Sequence, residues 1–169
     1  MSAVLETRGR GERFTPAPPT GLGPRCLLLG IGNCGRRDDG LGWAFLDHLA
    51  QMENFDSPFE YRYQLGVEDA ALIATMDRVI FIDAYRGDLA GGFRWSRCAP
   101  SPEFEFTTHV LPPRGVLHYC HSLYGTRPRA DLLMIQGESW GLEIGLSRTA
   151  EAHLENALAF FREHVLATG

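Results

Sequence analysis

Asp39, Asp83 and His109 are the residues of this 169-residue chain whose types and positions point most directly to chemistry. Asp39 follows the apolar run Cys26-Leu27-Leu28-Leu29 and lies at the start of a helical stretch, Asp83 closes the apolar run Val79-Ile80-Phe81-Ile82, and His109 lies in a Pro-rich loop before a further helix. Two carboxylates and one imidazole make a ligand set for a borderline divalent metal such as nickel or zinc, with coordination positions left free. Each residue also has a plainer reading. One of Asp38 and Asp39 caps the helix while the other faces the cleft; Asp83 is held by turn amides; His109 is an ordinary loop histidine.

Two motif matches point elsewhere and carry less. Gly30-Ile31-Gly32-Asn33-Cys34-Gly35 has the letters of a dinucleotide fingerprint between a strand and a helix. Asp38 and Asp39 follow it, however, and carboxylates at a helix N-terminus repel the pyrophosphate that belongs there. No acidic residue closes the second strand to hold a ribose; Gln64 and Leu65 stand there instead. The glycines read better as a tight strand-to-helix turn. Gly137-Glu138-Ser139-Trp140-Gly141 matches the nucleophile elbow, but a helix should follow at once, and only His153 and His164 on the last helix are available as partners for Ser139. His118 and His121 flank Cys120 at helical spacing, and a buried Cys beside solvated histidines accounts for them.

Composition narrows the field further. Sixteen basic against 21 acidic residues give a net charge of −5, against the basic face that nucleic acid or an anionic membrane would require. Every basic residue is Arg, so Schiff-base chemistry, Ser-Lys hydrolysis and the P-loop lysine are excluded. The four cysteines are widely spaced, with no C-x-x-C pair to suggest a disulfide framework or a structural zinc site. No apolar run is long enough to span a membrane and no secretory h-region opens the chain, so a cytoplasmic protein is expected.

The elements that must position these residues follow from hydropathy. Residues 1–24, rich in Pro and Gly, read as a loose extension before a single domain over residues 25–169. Strands are predicted at Cys26–Gly30, Tyr61–Leu65, Arg78–Ala84 and Leu132–Ile135, with an edge strand at Gly92–Cys98. Helices are predicted over Leu41–Met52, Glu68–Met76 and Thr149–Leu166, and one more along the face Val116, Leu117, Cys120, Leu123 and Tyr124. Strands alternating with helices make a mostly parallel α/β/α sheet. Ligands bind beyond the carboxyl ends of such strands, in the loops after Leu29, Ile82 and Ile135.

An ordered set of short segments resembles the nickel-iron hydrogenase maturation endopeptidases: Gly30-Ile31-Gly32-Asn33, Asp38-Asp39-Gly40-Leu41-Gly42, Ile82-Asp83-Ala84, the loop His109, Glu138-Ser139, and Gly145-Leu146-Ser147. The likeness runs over about residues 25–166. It implies a three-layer α/β/α fold with a five-stranded sheet, one strand antiparallel, a role the Gly92–Cys98 strand suits. It implies that Asp39, Asp83 and His109 are the metal-binding positions and that Asp39 or Asp83 assists as base. It further implies an endopeptidase that removes a short C-terminal peptide from the hydrogenase large-subunit precursor, with nickel brought by that precursor. Many members carry an Asp-Gly-x-Thr-like motif after the second strand. Gln64-Leu65-Gly66-Val67-Glu68 and Leu123-Tyr124-Gly125 are instead similar to the branch serving cytoplasmic, NAD-linked hydrogenases. The competing readings are a nickel-sensing maturation chaperone that does not cut, a serine hydrolase using Ser139, and a dinucleotide-binding module.

Overall fold

The computed structural model describes residues 21–103 and 110–167. Five strands form one sheet: β1 (Cys26–Ile31), β2 (Phe59–Arg62), β3 (Arg78–Arg86), β4 (Phe93–Arg97) and β5 (Arg129–Gly137), in the spatial order β2-β1-β3-β5-β4. All neighbouring pairs are parallel except β4 with β5, which is antiparallel. The expected α/β class, the five strands and the single antiparallel edge strand are all present. The helices are α1 (Leu41–Ala50), α2 (Asp69–Ile73), α3 (Pro113–Tyr124) and α4 (Arg148–Phe161), the last continued by a wide turn over Arg162–Leu166.

Side chains alternate across a strand, so each central strand feeds two cores. Leu28, Ile80, Ile82, Leu133 and Ile135 point to one face and pack with Phe45, Leu46 and Leu49 of α1 and Leu154, Leu158 and Phe161 of α4. The edge of Phe45 meets the ring of Phe161 at 5.2 Å between centroids. Leu27, Leu29, Val79 and Phe81 point to the other face, against Ile73 of α2 and Val116, Leu117 and Cys120 of α3. Each fully buried aliphatic or aromatic side chain contributes about 1.5–3 kcal/mol. Burial on both faces explains why β1 and β3 are continuous apolar runs rather than alternating ones. Leu22 packs against the α1/α4 face.

Some elements differ from the sequence expectation. β2 lies two residues earlier at its start than Tyr61 and ends at Arg62; Leu65 instead makes an isolated antiparallel bridge with Leu111. Leu123 and Tyr124 continue the apolar stripe of α3 but are exposed. All four cysteines are free, with Cys26 and Cys120 buried and Cys34 exposed. Among the described residues no helix is long and apolar enough to cross a membrane.

Candidate functional site

β1 and β3 run side by side as far as the pair Gly30–Ile82. Beyond it β1 turns away, while β3 continues beside β5 through Asp83–Met134 to Arg86–Gly137. Asp83 therefore does not end its strand, as the apolar pattern suggested. It is the first β3 residue past the last β1 pairing, where the sheet opens a crevice at its carboxyl edge.

Asp39 reaches that crevice from the other side. It lies in a single 3-10 turn, Arg37–Gly40, between β1 and α1. Two glycines let this turn press onto the strands. A Cβ on Gly32 would stand 1.8 Å from the carbonyl oxygen of Asp39, and one on Gly42 would stand 2.4 and 2.5 Å from the carbonyl oxygens of Ile31 and Ile82. Gly32 also has φ +141°, a conformation closed to other residues. The glycine pattern is thus a device for close packing, as the turn reading expected.

The same loop leaves little for a phosphate. The amides of Gly32, Asn33, Gly35, Arg36, Arg37, Asp38 and Asp39 all donate to acceptors within the protein. An anion site at a strand-to-helix turn needs such amides free, so the dinucleotide reading has no support here.

Asp39 and Asp83 line one open cleft of about 500 Å³ with Ile31, Gly32, Tyr63, Gln64, Leu65, Val110, Leu111, Pro112 and Pro113. Asp83 is half-buried, and its Oδ1 accepts the amide of Ala84 at 2.8 Å. Burial pushes its carboxyl up to about 7; the Ala84 hydrogen bond opposes the rise and the negative charge of Asp39 adds to it. The sequence thus brought two of its three expected ligands to one place. His109 lies outside the described residues, and its chain neighbour Val110 lines the cleft. Among the described residues no group of three or more His, Cys, Asp or Glu side chains converges to hold a metal ion.

Asp38 corrects the capping expectation. Neither Asp38 nor Asp39 caps a helix with its side chain. Asp38 is fully buried and accepts four hydrogen bonds from a loop about a hundred residues away: the amides of Glu138, Ser139 and Ser147 at 2.7, 2.8 and 2.6 Å, and the Ser147 hydroxyl at 2.7 Å. Burial alone would raise its pKa, but the donors from Ser147, Glu138 and Ser139 outweigh burial and hold the carboxyl below its ordinary range. The Asp38 amide returns a bond to the carbonyl of Ser139 at 3.0 Å, and the Arg37 amide donates to the carbonyl of Glu143 at 2.8 Å. Glu138 and Ser139 therefore serve this clamp through their backbone.

Among the described residues the serine-hydrolase geometry is missing. His153 bonds the carbonyl of Gln136 through Nδ1, and Nε2 of His164 lies 3.7 Å from Glu163, so neither ring is engaged with Ser139. Cys120 is buried with its thiol toward the Ala70 carbonyl, while His121 is exposed beside Arg127.

The sequence did not reveal what seats the loop after β2. Arg62 donates through Nε to buried Asp69 at 2.8 Å, whose other oxygen accepts the Gly66 amide at 2.9 Å. The Trp43 indole donates to the Arg62 carbonyl at 3.0 Å. These bonds hold the segment that carries Tyr63, Gln64 and Leu65 into the cleft. An acidic residue opening a short helix was the visible signal.

No protein-family model matches the chain, and no curated protein matches it in sequence. Solved structures do. The hydrogenase maturating endopeptidase HybD from E. coli superposes with a TM-score of 0.65 and 26% identity, over 82% of this chain and 93% of that one. The [NiFe] hydrogenase maturation protease HycI from Thermococcus kodakarensis gives a TM-score of 0.64 and 25% identity, over 83% and 92%. The solution structure of an endopeptidase from Escherichia coli gives 0.63 and 26%, over 83% and 94%.

Proposed function

We propose that this chain is a [NiFe] hydrogenase maturation endopeptidase, a hydrolytic enzyme that removes a short C-terminal peptide from the nickel-loaded precursor of the hydrogenase large subunit. The observation that carries the reading is the meeting of Asp39 and Asp83 at the crevice where β1 and β3 part, on a fold similar to proteases of that name.

The chemistry follows from what the cleft holds. Its described lining residues include neither a serine nor a lysine, which favours cleavage by water or through a carbonyl polarised from outside the protein's own nucleophiles. Nickel belongs to the substrate: carried on the precursor, it is met by Asp39, Asp83 and His109, which complete its coordination and so recognise a precursor that is ready for processing. A carboxylate and imidazole set suits such an ion. Asp39 or Asp83 assists as the base that takes a proton from water and returns it to the leaving amine. The open cleft, with an exposed Tyr63 at its rim, has room for an extended chain end.

Two finer readings rest on sequence. Gln64 and Leu65 line the cleft, and with Gly66-Val67-Glu68 and Leu123-Tyr124-Gly125 they favour the branch serving NAD-linked, cytoplasmic hydrogenases. The protein is accordingly assigned to the cytoplasm, with the large-subunit precursor as its partner.

Incubation with nickel-loaded and nickel-free precursor tests the proposal. Loss of a C-terminal peptide from the loaded form alone is expected. Binding without loss would favour a non-cutting nickel sensor. Fluorophosphonate labelling abolished in Ser139→Ala would revive the serine hydrolase.

A further inference from the structure

Asp69 opens α2, is 3% exposed and does not itself line the cleft. An acidic residue at a helix start is ordinarily explained by its own turn, and Asp69 does close one. Its amide donates to the Gly66 carbonyl at 3.2 Å, and its Oδ2 accepts the Gly66 amide at 2.9 Å. Its other oxygen reaches out of that turn, to Nε of Arg62 at 2.8 Å. A buried ion pair adds little net stability over an apolar pair of the same shape, so the effect of this one is geometric. Arg62 and Gly66 flank Tyr63-Gln64-Leu65, and one carboxylate holds both ends of that stretch of cleft wall. Gln64 is exposed and Tyr63 is 67% exposed, so the backbone, more than packing, sets where they stand.

The held segment is joined to the rest of the cleft. The Arg62 carbonyl accepts the Gly32 amide at 2.9 Å, and Gly32 lies against the carbonyl of Asp39. The Leu65 carbonyl accepts the Leu111 amide at 3.1 Å. Pro112 and Pro113 follow with no amide to donate, so this is the one backbone donor that Leu111-Pro112-Pro113 can offer.

We infer that Asp69 is a positioning residue for substrate binding: through Arg62, Gly66 and Leu65 it sets the Tyr63–Leu65 and Leu111–Pro113 walls of the cleft as one unit beside Asp39. The inference rests on the proposed processing function and adds the residue that shapes its cleft without touching the substrate.

The test exploits the shapes of two side chains in the full chain. In Asp69→Asn one oxygen must serve two donors, so the new NH2 faces either the Gly66 amide or the Arg62 guanidinium and one bond is lost. Arg62→Gln puts a carboxamide oxygen as many bonds from Cα as Nε. In the combined variant the NH2 at position 69 can therefore donate to position 62, while its oxygen keeps the Gly66 amide. Amide exchange, read on the protein alone, should quicken at least ~10-fold at both Gly66 and Leu111 in Asp69→Asn and return toward wild type in the combined variant. With nickel-loaded precursor as the probe, KM should rise at least ~10-fold in Asp69→Asn with kcat within ~3-fold, and the combined variant should recover KM to within ~3-fold. Exchange that quickens at Gly66 but not at Leu111 would overturn the joined walls. A wild-type KM in folded Asp69→Asn, or a raised KM that the combined variant does not recover, would overturn the positioning role and leave the processing function standing. If Asp69→Asn does not fold, Arg62→Ala takes its place, a raised KM supporting the role and a wild-type KM overturning it. If wild type binds precursor without cutting it, the processing reading falls and Kd by calorimetry decides the positioning role. No binding by wild type overturns both.

Discussion

Asp38 accepts both the amide and the hydroxyl of Ser147, at 2.6 and 2.7 Å, across 109 residues of chain. The same Ser147 oxygen accepts the amide of Ala150 and so caps α4. One buried carboxylate thereby ties the turn bearing Asp39 to the loop after β5 and to the start of the last helix. Asp38 and Asp39, adjacent in sequence, divide the labour: one holds the scaffold and the other faces the cleft.

Removing that carboxylate should be costly. Asp38→Ala leaves the amides of Glu138, Ser139 and Ser147 without their acceptor, each a desolvated donor. A loss of roughly 3–5 kcal/mol is expected by urea denaturation. Ser147→Ala removes only the hydroxyl bond and the cap, for about 1–2 kcal/mol. Equal losses in the two variants would contradict the clamp.

The clamp also has an acid limit. The depressed pKa of Asp38 means that its contribution is present above the unfolded value near 3.8 and is lost as pH falls through the lower folded value. The advantage of wild type over Asp38→Ala should therefore shrink below about pH 4, by the part that depends on the ionised carboxylate.

Asp83 works in the opposite direction. Its folded pKa, about 7 against an ordinary 3.8, favours the protonated form in the fold. Its share of stability is complete below about pH 4 and declines as pH rises to about 7, by at most about 4 kcal/mol. Asp83→Asn lacks this decline. Denaturation of chelator-treated protein from pH 4 to 8 should show the variant gaining on wild type across that window and level beyond it. A constant difference would mean that Asp83 titrates normally.

Gly32 is expected to tolerate nothing larger. Gly32→Ala meets both a φ of +141° and the carbonyl oxygen of Asp39. A loss of at least about 3 kcal/mol is predicted, measured by thermal melting, with cleavage falling further than the melting temperature explains because Asp39 is displaced.

How much of this was legible in the sequence depended on the range of the interactions. β1, β3 and α4 announced themselves because burial on both faces, or a helical stripe, writes a local pattern: Leu27-Leu28-Leu29, Val79 to Ile82, and Leu154 with Leu158 and Phe161. β2 was misplaced because Leu65 is apolar for a different reason, its bridge to Leu111. The expectation that one of Asp38 and Asp39 caps the helix failed because nothing near Asp38 in sequence tells of the donors at Glu138, Ser139 and Ser147. The placement of Asp39 and Asp83 at the carboxyl edge of the sheet was legible from the ends of the apolar runs, although what opens the crevice is the length of β3 relative to β1.

The central claim is that Asp39 and Asp83 form the cutting centre, and the rate at which nickel-loaded precursor loses its C-terminal peptide tests it most directly. Folded Asp39→Ala and Asp83→Ala variants should each cut at least ~10³-fold more slowly than wild type. Cleavage by both at the wild-type rate would contradict the account.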